Sequence, residues 1–258
     1  MKIIVLVKEV PDTYGDRLLN RETGLADRGA SEAVLDEITE RALEAALTAA
    51  QNVPDSEVVA LSMAPETATA SIRRALAMGA ASAIHIADEQ LHGADLAVTA
   101  RVLAAAITRS GADLVMAGNL STDGTAGVLP AMLAELLGWN QATSLTELTV
   151  TADGMSGTRA TDYGAQSITA TLPAVVSITE ALPDPRFPNF KGIMAAKKKP
   201  LEVLSLADLE VTVDPAEAPQ SIMTVVNEKP PRAAGVTITD EGDAADKLVE
   251  FLVQNRLV

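Results

Sequence analysis

The sequence predicts an α/β protein of three layers, with a mostly parallel sheet, an antiparallel extension of that sheet and a C-terminal arm. Three observations predict it. Short β-branched apolar runs alternate with amphipathic helical stretches through residues 3–137. Between 144 and 172 the pattern changes to short strands, separated at the turn dipeptides Asp153-Gly154 and Tyr163-Gly164. Beyond that, Pro183, Pro185 and Pro188 break the regularity. The chain has 258 residues, 48% hydrophobic and 21% charged, enough apolar material for one large domain with an appendage.

Taken in order, residues 3–7 form a β-branched run of the kind found in parallel strands buried on both faces. Residues 8–29 read as a long polar loop. The spacing predicts a helix over 31–51, with Val34, Leu35, Ile38, Ala42, Leu43, Ala45 and Leu47 as its apolar stripe and Glu37, Glu40 and Arg41 outside. A strand over 57–62 and a helix over 65–78 follow, the helix opened by Pro65 and closed by Gly79. The alternation continues with a strand at 82–87, a helix at 95–109, a strand at 113–117, a loop at 118–124 and a helix at 125–137 ended by Gly138. Strands are expected over 144–151, 155–161, 166–172 and 174–179, and a last helix over 243–256 with Leu248, Phe251 and Leu252 on one side. The domain is expected to span 1–182. Residues 183–258 hold little core of their own and read as an arm that packs on a partner or wraps its own domain.

Composition excludes several functions. Acids outnumber bases 35 to 20, a formal charge of −15, which argues against nucleic acid and anionic membranes as partners. The absence of cysteine excludes disulfides, thiolate nucleophiles and Cys-ligated metal clusters. His85 and His92 are the only imidazoles and are not spaced as a metal pair. No run reaches the length of a membrane span, and the N-terminal apolar stretch between Lys2 and Lys8 is too short for a signal peptide. A soluble, cytoplasmic protein without direct membrane insertion is expected.

The chemistry-bearing loop is Gly118-Asn119-Leu120-Ser121-Thr122-Asp123-Gly124-Thr125-Ala126-Gly127. It leaves the carboxyl end of a parallel strand, the edge where open α/β sheets bind ligands, and opens a helix whose free N–H groups attract phosphate. Gly124, Ala126 and Gly127 permit close backbone approach, and Ser121, Thr122 and Thr125 add hydroxyls. Neither a Walker A loop nor a G-x-G-x-x-G fingerprint is present, and an ordinary helix cap accounts for the same residues. Asp123 is repulsive to phosphate unless its carboxylate turns away, so it is expected to shape the loop. Met63 suits an adenine face or the core. Lys8 suits a phosphate, a partner or solvent. His85 reads as structural, and Arg73 and Arg74 as a solvated face. Lys197-Lys198-Lys199 is the one concentration of positive charge, a docking site for an acidic surface or a solvated run. No nucleophile–base set or paired carboxylates stand out, so no catalytic residue and no metal site are expected.

Together these segments resemble the β subunit of electron-transfer flavoprotein. The resemblance rests on Gly157-x-Arg159-x-x-Asp162-Tyr163-Gly164-Ala165-Gln166-x-Ile168, followed by Pro173-x-Val175-Val176-Ser177. It continues in Val7-Lys8-Glu9-Val10-Pro11-Asp12-Thr13, in Ala75-Leu76-Ala77-Met78-Gly79-Ala80, in Ser121-Thr122-Asp123-Gly124, in Pro185-Arg186-Phe187 and in Pro230-Pro231-Arg232-x-Ala234-Gly235-Val236. Tyr163 departs from the family, which usually places Gly or an acid there.

The resemblance implies a nucleotide-binding α/β domain, a partner α subunit that holds most of an FAD, and an AMP in this chain. In bifurcating members a second FAD replaces the AMP. It implies nucleotide contacts from Leu6, from Ala33, Val34, Leu35 and Asp36, from Met63, and from Gly118, Asn119, Leu120, Ser121, Thr122, Asp123, Gly124, Thr125, Ala126, Gly127 and Val128, the last two through backbone only. Val10, Pro11, Asp12 and Thr13 would approach the flavin edge. Residues 188–199 resemble the loop that docks onto partner dehydrogenases, with Phe190 as the apolar anchor and Ile193, Met194 and Lys197 beside it. The implied task is carrying electrons from acyl-CoA and other dehydrogenases, as in fatty acid oxidation, to a quinone reductase. The rival readings are the bifurcating subunit, a stand-alone ATP-binding stress-type protein on a similar fold, and an adenylating or phosphate-cleaving enzyme, whose usual Ser-Gly-Gly loop is absent.

Overall fold

The computed structural model describes residues 1–15, 17–213, 221, 223–232 and 234–258. Position 16 of the expected loop, and 214–220, 222 and 233 of the expected arm, lie outside the described residues. The chain divides into two compact units, Met1–Thr224 and Val225–Val258. In chain order the elements are β1 (Lys2–Leu6), β2 (Glu9–Pro11), β3 (Ala33–Leu35), α1 (Glu37–Asn52), β4 (Glu57–Met63), α2 (Thr69–Met78), β5 (Ser82–Ile86), α3 (Leu96–Ser110), β6 (Leu114–Gly118), α4 (Leu129–Leu137), β7 (Asn140–Val150), β8 (Gly154–Thr161), β9 (Gly164–Thr171), β10 (Ala174–Ile178), α5 (Phe190–Ala196), β11 (Leu201–Leu204) and α6 (Ala244–Gln254).

The first unit is built on a nine-stranded sheet of order β11-β5-β4-β1-β6-β10-β7-β8-β9. β1 pairs in parallel with β4 (Ile3 opposite Val58) and with β6 (Ile3 opposite Leu114). Side chains alternate across a strand, so β1 feeds two cores. Ile3 and Val5 enter one with α1 and α2. Ile4 and Leu6 enter the other with α3 and α4. β10 returns between β6 and β7, parallel to both, and β8 and β9 complete the expected antiparallel extension. Helix ends follow local chemistry: Asp95 caps α3 by accepting the Val98 N–H at 2.9 Å, and Gly111 (φ 65°) and Gly138 (φ 65°) terminate α3 and α4 in the left-handed conformation.

The structure corrects four expectations. The helix expected from 31 starts at Glu37, because Asp36 is extended (φ −61°, ψ 127°) and caps it by accepting the Ile38 N–H. Ala33, Val34 and Leu35 instead pair antiparallel with Pro11, Val10 and Glu9, inside what reads as loop in the sequence. The helix expected from Thr125 starts at Leu129, because Thr125 (φ 49°) and Gly127 (φ 69°) are left-handed and Pro130 fits only the first turn. The arm is more ordered than its prolines suggest. α5 lies within it, β11 joins β5 in parallel, and Leu204, Leu206, Leu209 and Val213 enter the core beside α3 and α4. Arg73 and Arg74 are not free on a solvated face: Arg73 donates to the Ala196 carbonyl at 2.8 Å, and Arg74 pairs with the buried Glu40. In the second unit α6 forms within the expected stretch and carries an Asp243–Lys247 ion pair of 2.9 Å.

Candidate functional site

The carboxyl ends of β1, β4 and β6 deliver Lys8, Met63 and the loop 119–128 to one edge of the sheet. A net of polar contacts stitches the segments together. Lys8 Nζ lies 2.7 Å from Asp123 Oδ1 and donates to Ser121 Oγ at 3.4 Å. Arg28 reaches Asp123 Oδ2 at 3.8 Å and donates to the Glu9 carbonyl at 3.1 Å. Arg17 donates to the Thr122 carbonyl. The Thr122 N–H donates to Asp36 Oδ2 at 3.0 Å, and the Asp36 N–H to the Lys8 carbonyl at 2.9 Å. Residues 8, 36 and 119–124 therefore hold one another although they are far apart in sequence.

The two carboxylates are tuned in opposite directions. Burial works to raise the Asp123 carboxyl, but the Lys8 ammonium, the Gly124 N–H and Ser121 outweigh it and hold Asp123 below its ordinary range. Burial also raises Asp36, and there it prevails over the N–H bonds from Thr122 and Ile38. Asp36 is 0% exposed, so its carboxylate is shielded from solvent and serves the fold through the Thr122 and Ile38 N–H groups.

Beyond Asp123 the loop offers N–H groups. Among the described residues none accepts from the backbone N–H of Ser121, Asp123, Ala126, Gly127 or Val128. With Thr125 and Gly127 left-handed, this stretch is a run of unpaired donors that leads into α4, and successive free N–H groups of this kind suit an anion. Residues 124–128 are exposed. A Cβ added at Gly124 would stand 3.8 Å from Lys8 Nζ, so glycine leaves the ammonium approachable. Gly118 serves packing instead, since a Cβ there would meet Ile38 Cγ2 at 2.7 Å. These donors fit the phosphate of an adenylate. A hollow of about 220 Å³ adjoins the loop, lined by Ile38, Arg41, Asn119, Leu120 and Thr122 with Glu37 and Glu180. Its two carboxylates disfavour an anion there. A larger cavity of about 480 Å³ lies at the opposite edge, where Lys2–Glu57 (3.2 Å) and Arg109–Glu202 (3.5 Å) neutralise one another.

The structure places the remaining candidates as follows. Leu6 and Leu35 are buried in the two cores and present only backbone to this edge; Ala33 is exposed and Val34 and Met63 half-buried. Val10 and Pro11 are buried, Asp12 accepts the Tyr14 N–H at 3.1 Å, and Thr13 is exposed. Tyr14, at 93% exposure the most prominent side chain of this turn, escapes a reading centred on Thr13. So do Arg17 and Arg28, whose signal in an acidic chain was basic charge inside a loop. His85 is structural, with Nε2 3.0 Å from the Ala64 carbonyl. Phe190 (80%), Ile193 and Met194 are exposed on α5, as is Lys197. Lys199 leaves the lysine run to cap α2, donating to the carbonyls of Leu76 (2.8 Å) and Ala80 (2.6 Å), and burial pushes its ammonium below its ordinary range. Among the described residues no acid–histidine cluster could hold a metal, and no helix is long and apolar enough to cross a membrane.

An open, mostly parallel sheet with helices on both faces and a donor-rich loop at the carboxyl edge of its strands defines an open three-layer class of α/β protein, in which ligands bind at that edge. Comparison narrows the class. The family model described as the electron transfer flavoprotein domain matches residues 23–209. The chain is 46% identical to the electron transfer flavoprotein subunit beta of Mycobacterium leprae, over 99% of both chains. It is 31% identical to that of Bacillus subtilis (98% of this chain, 97% of the relative) and 33% to that of Bos taurus (97% and 98%). The chain belongs to the electron transfer flavoprotein β-subunit family.

Proposed function

We propose that this chain is the non-catalytic half of a two-chain, cytoplasmic electron carrier, with an FAD held mainly by its α subunit and an AMP in its own crevice. The observation that carries the reading is the unpaired N–H run from Ala126 to Val128, which precedes α4 and follows the Lys8–Asp123 pair. That run would hold the AMP phosphate, and Met63 and the backbone of Leu6 and 33–36 would line the adenylate. AMP supplies no chemistry there; it stabilises the folded state by binding it in preference to the unfolded chain. FAD, when bound, accepts and passes on electrons. This chain would contribute position: Val10 and Pro11 of β2 would lie toward the flavin edge, and β2 pairs with β3, which leads to Asp36 and its bond from the Thr122 N–H. Exposed Phe190, flanked by Ile193, Met194 and Lys197, would dock acyl-CoA and other dehydrogenases, and a quinone reductase would take the electrons onward. Later parts of the arm would embrace the α subunit.

The test is co-expression with a flavoprotein α subunit followed by extraction of the bound nucleotides. One FAD and one AMP per heterodimer is the expected result. Two FAD and no AMP would replace the structural AMP with a bifurcating site. A colourless chain that remains alone with every α subunit tried would overturn the two-chain reading. Phe190→Ala should slow transfer from a dehydrogenase and leave flavin content unchanged.

A further inference from the structure

We infer that the buried carboxylate of Asp36 is a positioning residue for phosphate binding, acting through Thr122 on the shape of the loop that would hold the phosphate. This rests on the nucleotide reading above and adds what makes its loop selective. Within residues 121–128 the Gly124 N–H goes to Asp123 Oδ1 at 2.6 Å and the Thr125 N–H to the Ser121 carbonyl at 3.0 Å, both inside the loop. Among the described residues, the Thr122 N–H alone reaches out of it, to Asp36 Oδ2 at 3.0 Å. The free donors of Ser121, Asp123 and Ala126–Val128 flank these fixed points, so the place of Thr122 decides where they stand.

The contact closes a ring. The Asp36 N–H donates to the Lys8 carbonyl at 2.9 Å, the Asp36 carboxylate accepts from Thr122, and Asp123, next in the chain, returns to the Lys8 ammonium at 2.7 Å. Behind the ring, a Cβ at Gly118 would stand 2.7 Å from Ile38 Cγ2, so the first turn of α1 lies directly against the start of the loop. Only a carboxylate fits the place of Asp36. Its oxygens accept from two segments at once, Oδ1 from the Ile38 N–H at 3.4 Å and Oδ2 from the Thr122 N–H. An asparagine has one acceptor oxygen, so its amide nitrogen would face one of these N–H groups, donor against donor, at a position that is 0% exposed. Donors fixed in advance bind a ligand without the cost of ordering the loop, which gives a residue behind the loop leverage over affinity.

Titration of the nucleotide-free full chain with AMP and with adenosine, which lacks the phosphate, tests this. Asp36→Asn should weaken AMP by about tenfold or more and adenosine by less than about threefold, so that the preference for AMP collapses. Asp95→Asn alters the cap of α3 in the same way and should leave that preference intact. Unchanged AMP affinity in Asp36→Asn, equal losses for AMP and adenosine, or the same collapse in Asp95→Asn overturns the assignment while the nucleotide reading stands. An unaltered chain that binds neither ligand overturns the nucleotide reading and the assignment together. Should Asp36→Asn fail to fold, amide exchange of the unaltered chain decides. Before AMP is added, the Thr122 amide should exchange about tenfold or more slowly than those of Ala126 and Gly127, and AMP should then slow that pair. A Thr122 amide as fast as theirs in the nucleotide-free chain overturns the assignment.

Discussion

The two edges of the nine-stranded sheet are finished in different ways. β11 is four residues long, preceded by Pro200, interrupted by Glu202 and tied down from both sides. Lys199 caps α2, Arg73 holds the end of α5, and Arg186 grips Glu44 of α1 through three contacts of 2.6 to 3.0 Å. β9 is twice that length and uncharged; it pairs along its length with β8, and near its end Asn140 of β7 donates to the Thr171 carbonyl at 2.9 Å. Polar contacts distant in sequence anchor the β11 side; a regular ladder supplies most of the β9 side. The difference teaches that one sheet can finish its two edges by unlike means, one through tertiary contacts and the other through local pairing.

Substitutions can break the comparison. The largest effect is expected at Gly157 of β8, where a Cβ would stand 2.4 Å from the Glu147 carbonyl and 2.8 Å from Leu145 Cδ1. Gly157→Ala should destabilise the first unit by about 2–3 kcal/mol, read from the denaturant midpoint. On the β11 side, a Cβ at Gly192 would lie 2.5 Å from the Ala77 carbonyl, where α5 crosses α2. Gly192→Ala should lift α5 at a cost of about 1–3 kcal/mol and speed exchange at Leu201–Leu204 without touching β9. Equal exchange at both edges would deny that they are independent.

Smaller effects sharpen the picture. Lys199→Met leaves the carbonyls of Leu76 and Ala80 without their charged donor and should lower stability by about 1–2 kcal/mol, measured by denaturant titration. Glu44 is held below its ordinary range chiefly by its hydrogen bonds from Arg186, which also contributes charge, against opposing burial. Its stabilising contribution is present above the unfolded value and is lost as pH falls through the lowered folded value. Glu44→Gln should therefore cost about 0.5–1 kcal/mol at neutral pH and flatten the acid limb of the stability profile. Thr169→Lys adds a charge to an exposed position of β9 and should change the stability of the chain by less than about 0.5 kcal/mol, read from the denaturant midpoint.

The sheet strands β1, β4, β5, β6 and β10 were legible because β-branched runs bounded by turn residues record burial locally. β2 and β3 were not: each is three residues long, and Val34 and Leu35 fit a helical stripe equally well until Asp36 is seen to cap α1. The loop 118–128 was legible as a glycine- and hydroxyl-rich loop at the end of β6, but its run of unpaired N–H groups was not, because Thr125 and Gly127 in the left-handed region delay α4. Asp123 could be read as a loop-shaping acid; that Lys8 is its counterion could not.

Periodicity, turn dipeptides and charge balance determined, from the sequence by itself, an open α/β domain with an antiparallel extension, an acidic surface and no cysteine chemistry, because each of those properties is stored in neighbours along the chain. Tertiary structure alone decided where α1 and α4 begin, that Lys199 and Arg73 belong to the fold, and that β11 and β9 form the two ends of the sheet. Those outcomes depend on pairs such as Thr122 with Asp36, 86 residues apart, whose geometry exists only once the sheet has brought them together.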